Sequence, residues 1–205
     1  MKLGVLGTGQ VGTAISTEMV KAGHEVVVGS RDPQSDKAQE FARQTGARVA
    51  SYAEAATHGE WVFNALPGEP AVDYLRQCDI AGKILVDIAN YNSAVDQPIG
   101  TPVGQLIQSA FPEARVVKAL NSISAHLMLA PGGLDGQHTV FIAGNDADAK
   151  RQVTAFLAGF GWADILDLGD IAATRAMEQL VPLWMSLEQV FSGPGFNLKV
   201  VREEG

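Results

Sequence analysis

Met1-Lys2-Leu3-Gly4-Val5-Leu6-Gly7-Thr8-Gly9-Gln10-Val11-Gly12 carries a short apolar strand straight into a Gly-x-Gly-x-x-Gly turn, and an amphipathic helix pattern starts immediately behind it. Gly7 lets the chain turn tightly out of the strand, Gly9 lets the backbone approach a pyrophosphate, and Gly12 lets the helix pack closely on the strand. The unpaired N–H groups and positive dipole end of that helix then face an anion. Glycine-rich turns often arise for structural reasons alone, so the flanks carry the specificity. Residues 3–6 supply the strand, Ala14, Ile15, Met19 and Val20 the buried helix face, and Gly23 the helix end.

Outward from this unit the alternation continues. Residues 25–29 read as a second strand, apolar on both faces as a buried parallel strand should be, and complete a βαβ unit. Helical spacing over 36–44, 52–57, 72–77 and 101–111 alternates with strands at 47–50, 61–66, 83–88 and 115–120. Residues 130–136 read as a loop, and 139–143 and 165–168 as strands flanking a helix at 147–157. A long apolar helix over 171–191 should kink at Pro182 and needs cover on several sides, which predicts a homodimer through it. The fold expected is α/β, a doubly wound Rossmann-type parallel sheet with a small C-terminal helical extension. The expected division is a dinucleotide-binding domain over 1–145 and a small C-terminal part over 146–205, packed on the first. Right-handed crossovers place every parallel strand's C-terminal end on one edge, where ligands bind in such folds. The segments converging there are 7–12, 29–32, 65–69, 88–92 and 120–126.

Composition narrows the function. A formal net charge of −8 argues against a nucleic-acid or anionic-membrane surface. No apolar run reaches the roughly 18 residues that span a bilayer, and the start reads as a strand rather than a signal peptide, so a cytoplasmic location is expected. The single cysteine, Cys78, reads as structural, and no His/Cys/Asp/Glu cluster has metal-ligand spacing, so no metal is expected.

The end of the second strand distinguishes the two nicotinamide dinucleotides. An acidic side chain there pairs with a free ribose 2′-hydroxyl, whereas an arginine accommodates a 2′-phosphate. Here the chain reads Gly29-Ser30-Arg31-Asp32. Ser30 and Arg31 offer a hydroxyl and a planar cation to the phosphate, and Lys37 adds a second charge, so NADP(H) is expected. Asp32, followed by Pro33, reads as a helix N-cap, although a shift of one residue would put its carboxylate at the ribose.

The glycine turn, the stretch Gly23-His24-Glu25-Val26-Val27-Val28-Gly29-Ser30-Arg31, Leu66-Pro67 and the C-terminal helix together resemble the NADPH-dependent reductases of the deazaflavin coenzyme F420. That family is similar in turn to the NADPH-binding portion of membrane ferric reductases, whose acceptor is a flavin. The resemblance implies hydride transfer between nicotinamide C4 and deazaflavin C5, the two rings stacked in a cleft between the dinucleotide-binding domain and a small C-terminal part. By position, Thr8, Gln10, Val11, Ser30, Arg31 and Lys37 would hold NADPH. Ala65, Leu66 and Pro67 would line the nicotinamide, and Ala89 joins the cofactor-binding set. The chain departs from the family where acceptor choice would be set. Gly68-Glu69-Pro70 stands where archaeal members usually have Trp and His, and Asn121 and Ser124 occupy the places of a family histidine and proline.

Transfer between stacked rings requires proximity more than a protein acid or base. A carbonyl or imine substrate would require a proton donor, for which Lys118, Asn121, Ser122, Ser124, His126, Tyr91 and Asn92 are placed on the right edge; Asn121, Ser122 and His126 are the first candidates near the nicotinamide. His126 also reads as a surface residue beside a loop, and Asn90, Asn92 and Asn121 as partners of turn backbones. The leading expectation is a hydride-transferring oxidoreductase with a small-molecule acceptor, a deazaflavin or flavin. The alternatives are a reductase of a small carbonyl or imine, and a non-catalytic NADP(H)-sensing module.

Overall fold

The computed structural model describes residues 1–91 and 100–203. The order is β1 (Lys2–Leu6), α1 (Gln10–Lys21), β2 (Glu25–Ser30), α2 (Asp36–Thr45), β3 (Arg48–Ser51), α3 (Tyr52–His58), β4 (Trp61–Asn64), α4 (Ala71–Leu75), β5 (Ile84–Asp87), α5 (Val103–Ala110) and β6 (Arg115–Ala119). After two short 3-10 turns come β7 (Thr139–Gly144), α6 (Ala147–Gly159), β8 (Asp164–Asp167), α7 (Thr174–Gln179) and α8 (Val181–Val190). The strands form one sheet in the order β3-β2-β1-β4-β5-β6-β7-β8, parallel throughout except for the antiparallel pairing of β6 with β7. This is the doubly wound α/β fold expected. Its order reverses between β1 and β4, which opens a crevice at their C-terminal ends.

Strand alternation distributes the core to both faces. Leu3, Val5, Val26, Val28, Phe63 and Val86 face α1, α2 and α6, while Leu6, Val27, Val62 and Leu85 face α3, α4 and α5. Ile15 and Met19 on α1 are completely buried, each contributing about 1.5–3 kcal/mol. The expected α1 face is adjusted at three places: Ala14, beside the cleft, and Val20 are half-buried, and Ser16 takes a buried position. Gly23 follows the helix in the left-handed region, φ 81°, and donates its N–H to the Val20 carbonyl.

Two expectations change. The continuous helix over 171–191 is a 3-10 turn, Ile171–Ala173, followed by α7 and α8 with a break at Leu180. Pro182 near the start of α8 has no N–H with which to carry the ladder back into α7. Asp32 does not cap α2: Ser35 does, accepting from the Ala38 N–H, while Asp32 accepts from the Gln34 N–H in a local turn. A serine sits one residue before the helix, and Asp32 lies too early to reach its free donors. Residue 145 falls between β7 and α6, and the sheet continues past it because β8 pairs with β7. Asn92 lies outside the described residues.

Candidate functional site

At the strand-end edge the glycine turn has the shape its spacing requires. Gly7 has φ 117°, and a Cβ there would lie 2.7 Å from the Ala65 carbonyl oxygen; one on Gly12 would lie 2.0 Å from the Gly7 oxygen. Both glycines are demanded by packing. Gly9 differs, because a Cβ there would meet nothing within 4 Å. Its open backbone, at the N-terminus of α1 with no side-chain cap, leaves room and free N–H donors for a pyrophosphate.

Beside the turn lies a cleft of two chambers, about 770 Å³ and 360 Å³. Gln10, Ala125, Trp184 and Glu188 line both. The larger chamber takes in Thr8, Gly9, Lys37 and His126, and the smaller Val11, Tyr91, Asn121 and Ser122. His126 is exposed, as a surface residue should be. Ser30, Arg31, Ala65, Leu66, Pro67 and Ala89 lie outside both chambers, along the crevice at the ends of β2, β4 and β5. Ser30 is buried and its hydroxyl donates to the Asp32 carbonyl, while Arg31 and Lys37 are exposed without an ion-pair partner among the described residues. Gly68 has a packing reason, since a Cβ would lie 2.0 Å from the Asn90 carbonyl oxygen.

Lys118 is not a free proton donor. It is fully buried, and its ammonium donates to Asp87 Oδ2 at 2.8 Å, pairs with Glu178 Oε1 at 3.0 Å, and reaches the Ala89 carbonyl. Three donors thus meet three acceptors, which leaves none for a substrate. Asn64 donates to Asp87 Oδ1 at 2.8 Å, and the Ala89 N–H donates to the same oxygen at 3.2 Å. Asn121 and Asn90 serve backbones, as their turn setting suggests. The Asn121 amide donates to the Met177 carbonyl at 2.9 Å, and Asn90 to the Asn121 carbonyl at 2.7 Å. Before Asn121 stands Leu120 with φ 62°, a conformation that costs a non-glycine residue about 1–2 kcal/mol. Its burial and the Asn121 contacts hold it there.

Tyr91, on the wall of the smaller chamber, has its phenol pushed above the usual range by burial and then by the Glu178 charge. Burial pushes the Cys78 thiol up to about 11, which suits an inert structural residue. Among the described residues no group of three or more His, Cys, Asp or Glu is placed to hold a metal ion, and no helix is long and apolar enough to cross a membrane. Asp87, Glu178, Trp184 and Glu188 were missed as site residues. Trp184 and Glu188 stand four apart on α8, a spacing that puts both on one face. Nothing local marks Asp87 or Glu178.

Comparison with known proteins gives the class. The family model "NADP oxidoreductase coenzyme F420-dependent" matches residues 2–91, the span holding the glycine turn and the β2 end. A crystal structure of an Arthrobacter sp. FB24 protein, given the provisional name F420-dependent NADP reductase, superposes with a TM-score of 0.91 at 37% identity, covering 98% of this chain and 100% of that one. The F420-dependent NADP reductase of Methanocaldococcus jannaschii is 23% identical with both chains covered in full. The chain belongs to the coenzyme F420-dependent NADP oxidoreductase family. The metalloreductase STEAP3 of Rattus norvegicus is 34% identical over 89% of this chain, which spans 38% of that protein's length.

Proposed function

We propose that the protein transfers hydride between NADP(H) and a deazaflavin or flavin-like ring seated in the two-chambered cleft. The observation that carries this reading is the cleft itself, which opens on the glycine turn and is walled by apolar groups of Val11, Ile123, Met128 and Trp184. When bound, NADPH supplies the hydride. The backbone of Gly9 and the N-terminus of α1 receive the pyrophosphate, and Arg31 with Lys37 receives the 2′-phosphate. Leu66, Pro67 and Ala89 border the nicotinamide. Walls of this kind exclude water and hold two rings face to face, which is what direct transfer requires. The compartment proposed is the cytoplasm. A homodimer through α8 fits the exposure of Leu183 (47%), Val190 (73%) and Phe191 (61%), and light scattering at micromolar concentration that gives a monomer mass would remove it.

A second reading is favoured by one feature, the Tyr91 phenol that lines the smaller chamber together with Ser122, an O–H donor of the kind carbonyl or imine reduction requires. Purified protein mixed with NADPH separates the readings. Oxidation by F420, FMN or riboflavin supports the first, and turnover with carbonyls or imines alone replaces it with the second. Tight NADPH binding without turnover of either acceptor class leaves a sensing module.

A further inference from the structure

The proposed reaction requires the wall carried by α7 and α8 to stand at a fixed distance from the nicotinamide border at Ala89. Apolar packing holds the α8 part of that wall weakly, since Val181 is the one buried residue of α8 and Met177 the one buried apolar residue of α7. The attachment is polar and lies behind the cleft. Asp87, Lys118 and Glu178 are all completely buried. Lys118 grips the Ala89 carbonyl and Asp87 from β6, and Asp87 grips the Ala89 N–H, so both sides of the Ala89 residue are held. Through Asn64 the same network reaches the Leu66 N–H, on the other nicotinamide-bordering segment, at 3.3 Å.

Glu178 joins this network to the C-terminal helices. The N-cap residue of α5 is Pro102, which has no side-chain cap to offer, and Glu178, 75 residues beyond Val103, caps the helix instead. Its Oε2 accepts from the Val103 N–H at 2.9 Å and its Oε1 from the Gly104 N–H at 3.0 Å, while Oε1 also meets Lys118. Two carboxylates thus face one ammonium, and the positive end of α5 offsets part of the surplus negative charge. The neighbouring Met177 carbonyl takes the Asn121 amide, so α7 is held at two consecutive residues.

We infer that Lys118, Asp87 and Glu178 are positioning residues that couple the α7–α8 wall to the Ala89 strand end and so set the spacing of the two rings. This inference rests on the hydride-transfer reading for its kinetic consequence, whereas its structural consequence can be measured without turnover. The variants are Glu178→Gln, which keeps the length but turns one accepting oxygen into a donor, and Glu178→Asp, which keeps the charge and is the milder change should the first fold poorly. Ile165→Ala on the far-edge strand β8 serves as a control that weakens the fold away from the cleft. In Glu178→Gln, acrylamide should quench Trp184 more strongly and amide exchange over 174–190 should quicken by about tenfold or more, with NADPH affinity within about threefold of the parent. With a working acceptor, kcat should fall by up to about a hundredfold, the loss expected of an ångström-scale misplacement, with KM little changed and a larger isotope effect from nicotinamide C4 deuteration. Glu178→Asp should recover part of each effect. Unaltered Trp184 quenching and exchange in both Glu178 variants, or the same changes in Ile165→Ala, would overturn the coupling. Parent protein that turns over no deazaflavin or flavin defeats the functional reading instead, and the quenching and exchange results still decide the coupling.

Discussion

The turn between β1 and α1 takes its shape from residues 7–12, whereas the α8 wall of the same cleft is attached from behind through β5, β6, α5 and α7, by contacts between residues as much as 75 apart in sequence. The first region is specified by backbone sterics: two glycines are required by hard-sphere contacts and a third leaves an opening. The second is specified by charge. Its buried groups are tolerable only because each finds partners, and removing one leaves the others exposed to the full cost of desolvation.

The sharpest way to break that contrast is Lys118→Met, which strips the counter-ion from two buried carboxylates. It should cost about 3–5 kcal/mol in urea denaturation. A loss under about 1 kcal/mol, the size of a surface pair, would mean that the triad carries little of the wall's attachment. Next come two glycine substitutions on opposite sides of the turn's own logic. Gly12→Ala should lose about 1–3 kcal/mol through overpacking against Gly7. Gly9→Ala should stay within about 0.5 kcal/mol of the parent in stability, as at an unconstrained surface site, yet weaken NADPH binding. If Gly9→Ala binds NADPH normally, the opening is not a phosphate cradle.

At the β2 end, Arg31→Ala should weaken NADPH relative to NADH by about 1.5–3 kcal/mol, the worth of a charged hydrogen bond, as measured by titration of both dinucleotides. Equal effects on both would remove the 2′-phosphate assignment. The smallest effect belongs to a solvent-accessible counterpart of the triad, Arg115 with Asp146 and Asp148. Arg115 and then the Ala149 N–H hold the Asp146 carboxyl well below the usual carboxylate range. A folded-state value depressed below that of the unfolded chain adds stability above the ordinary carboxylate value of about 3.9, and this is lost as pH falls below it. The stability gap between the parent and Asp146→Asn should therefore narrow between neutral pH and pH values below about 4, as read from denaturation midpoints.

Much of the fold was legible because its causes are local. The apolar runs at β1, β2, β4 and β5 marked buried parallel strands, and the periodicity of α1 and α6 gave their placement to within a few residues. The reading of 171–191 as a single kinked helix went astray because composition does not distinguish a kink from a break at Leu180. Asp32 misled for a related reason, since aspartate and serine both cap helices and only the position of the first helical turn chooses between them. Lys118 was picked out as reactive because of its place on the strand edge, but reactivity depends on partners, and those belong to β5 and α7.

By itself the sequence determined the doubly wound sheet and the glycine turn, because backbone sterics and strand-helix periodicity act over a few residues. Tertiary structure alone decided which polar groups are consumed by the scaffold and which face the cleft. Asp87, Lys118 and Glu178 become a closed set only when three distant segments meet out of water, and burial makes their pairing obligatory. Trp184, Tyr91 and Asn121 converge on one chamber for the same reason: the fold brings together residues that no sequence period relates.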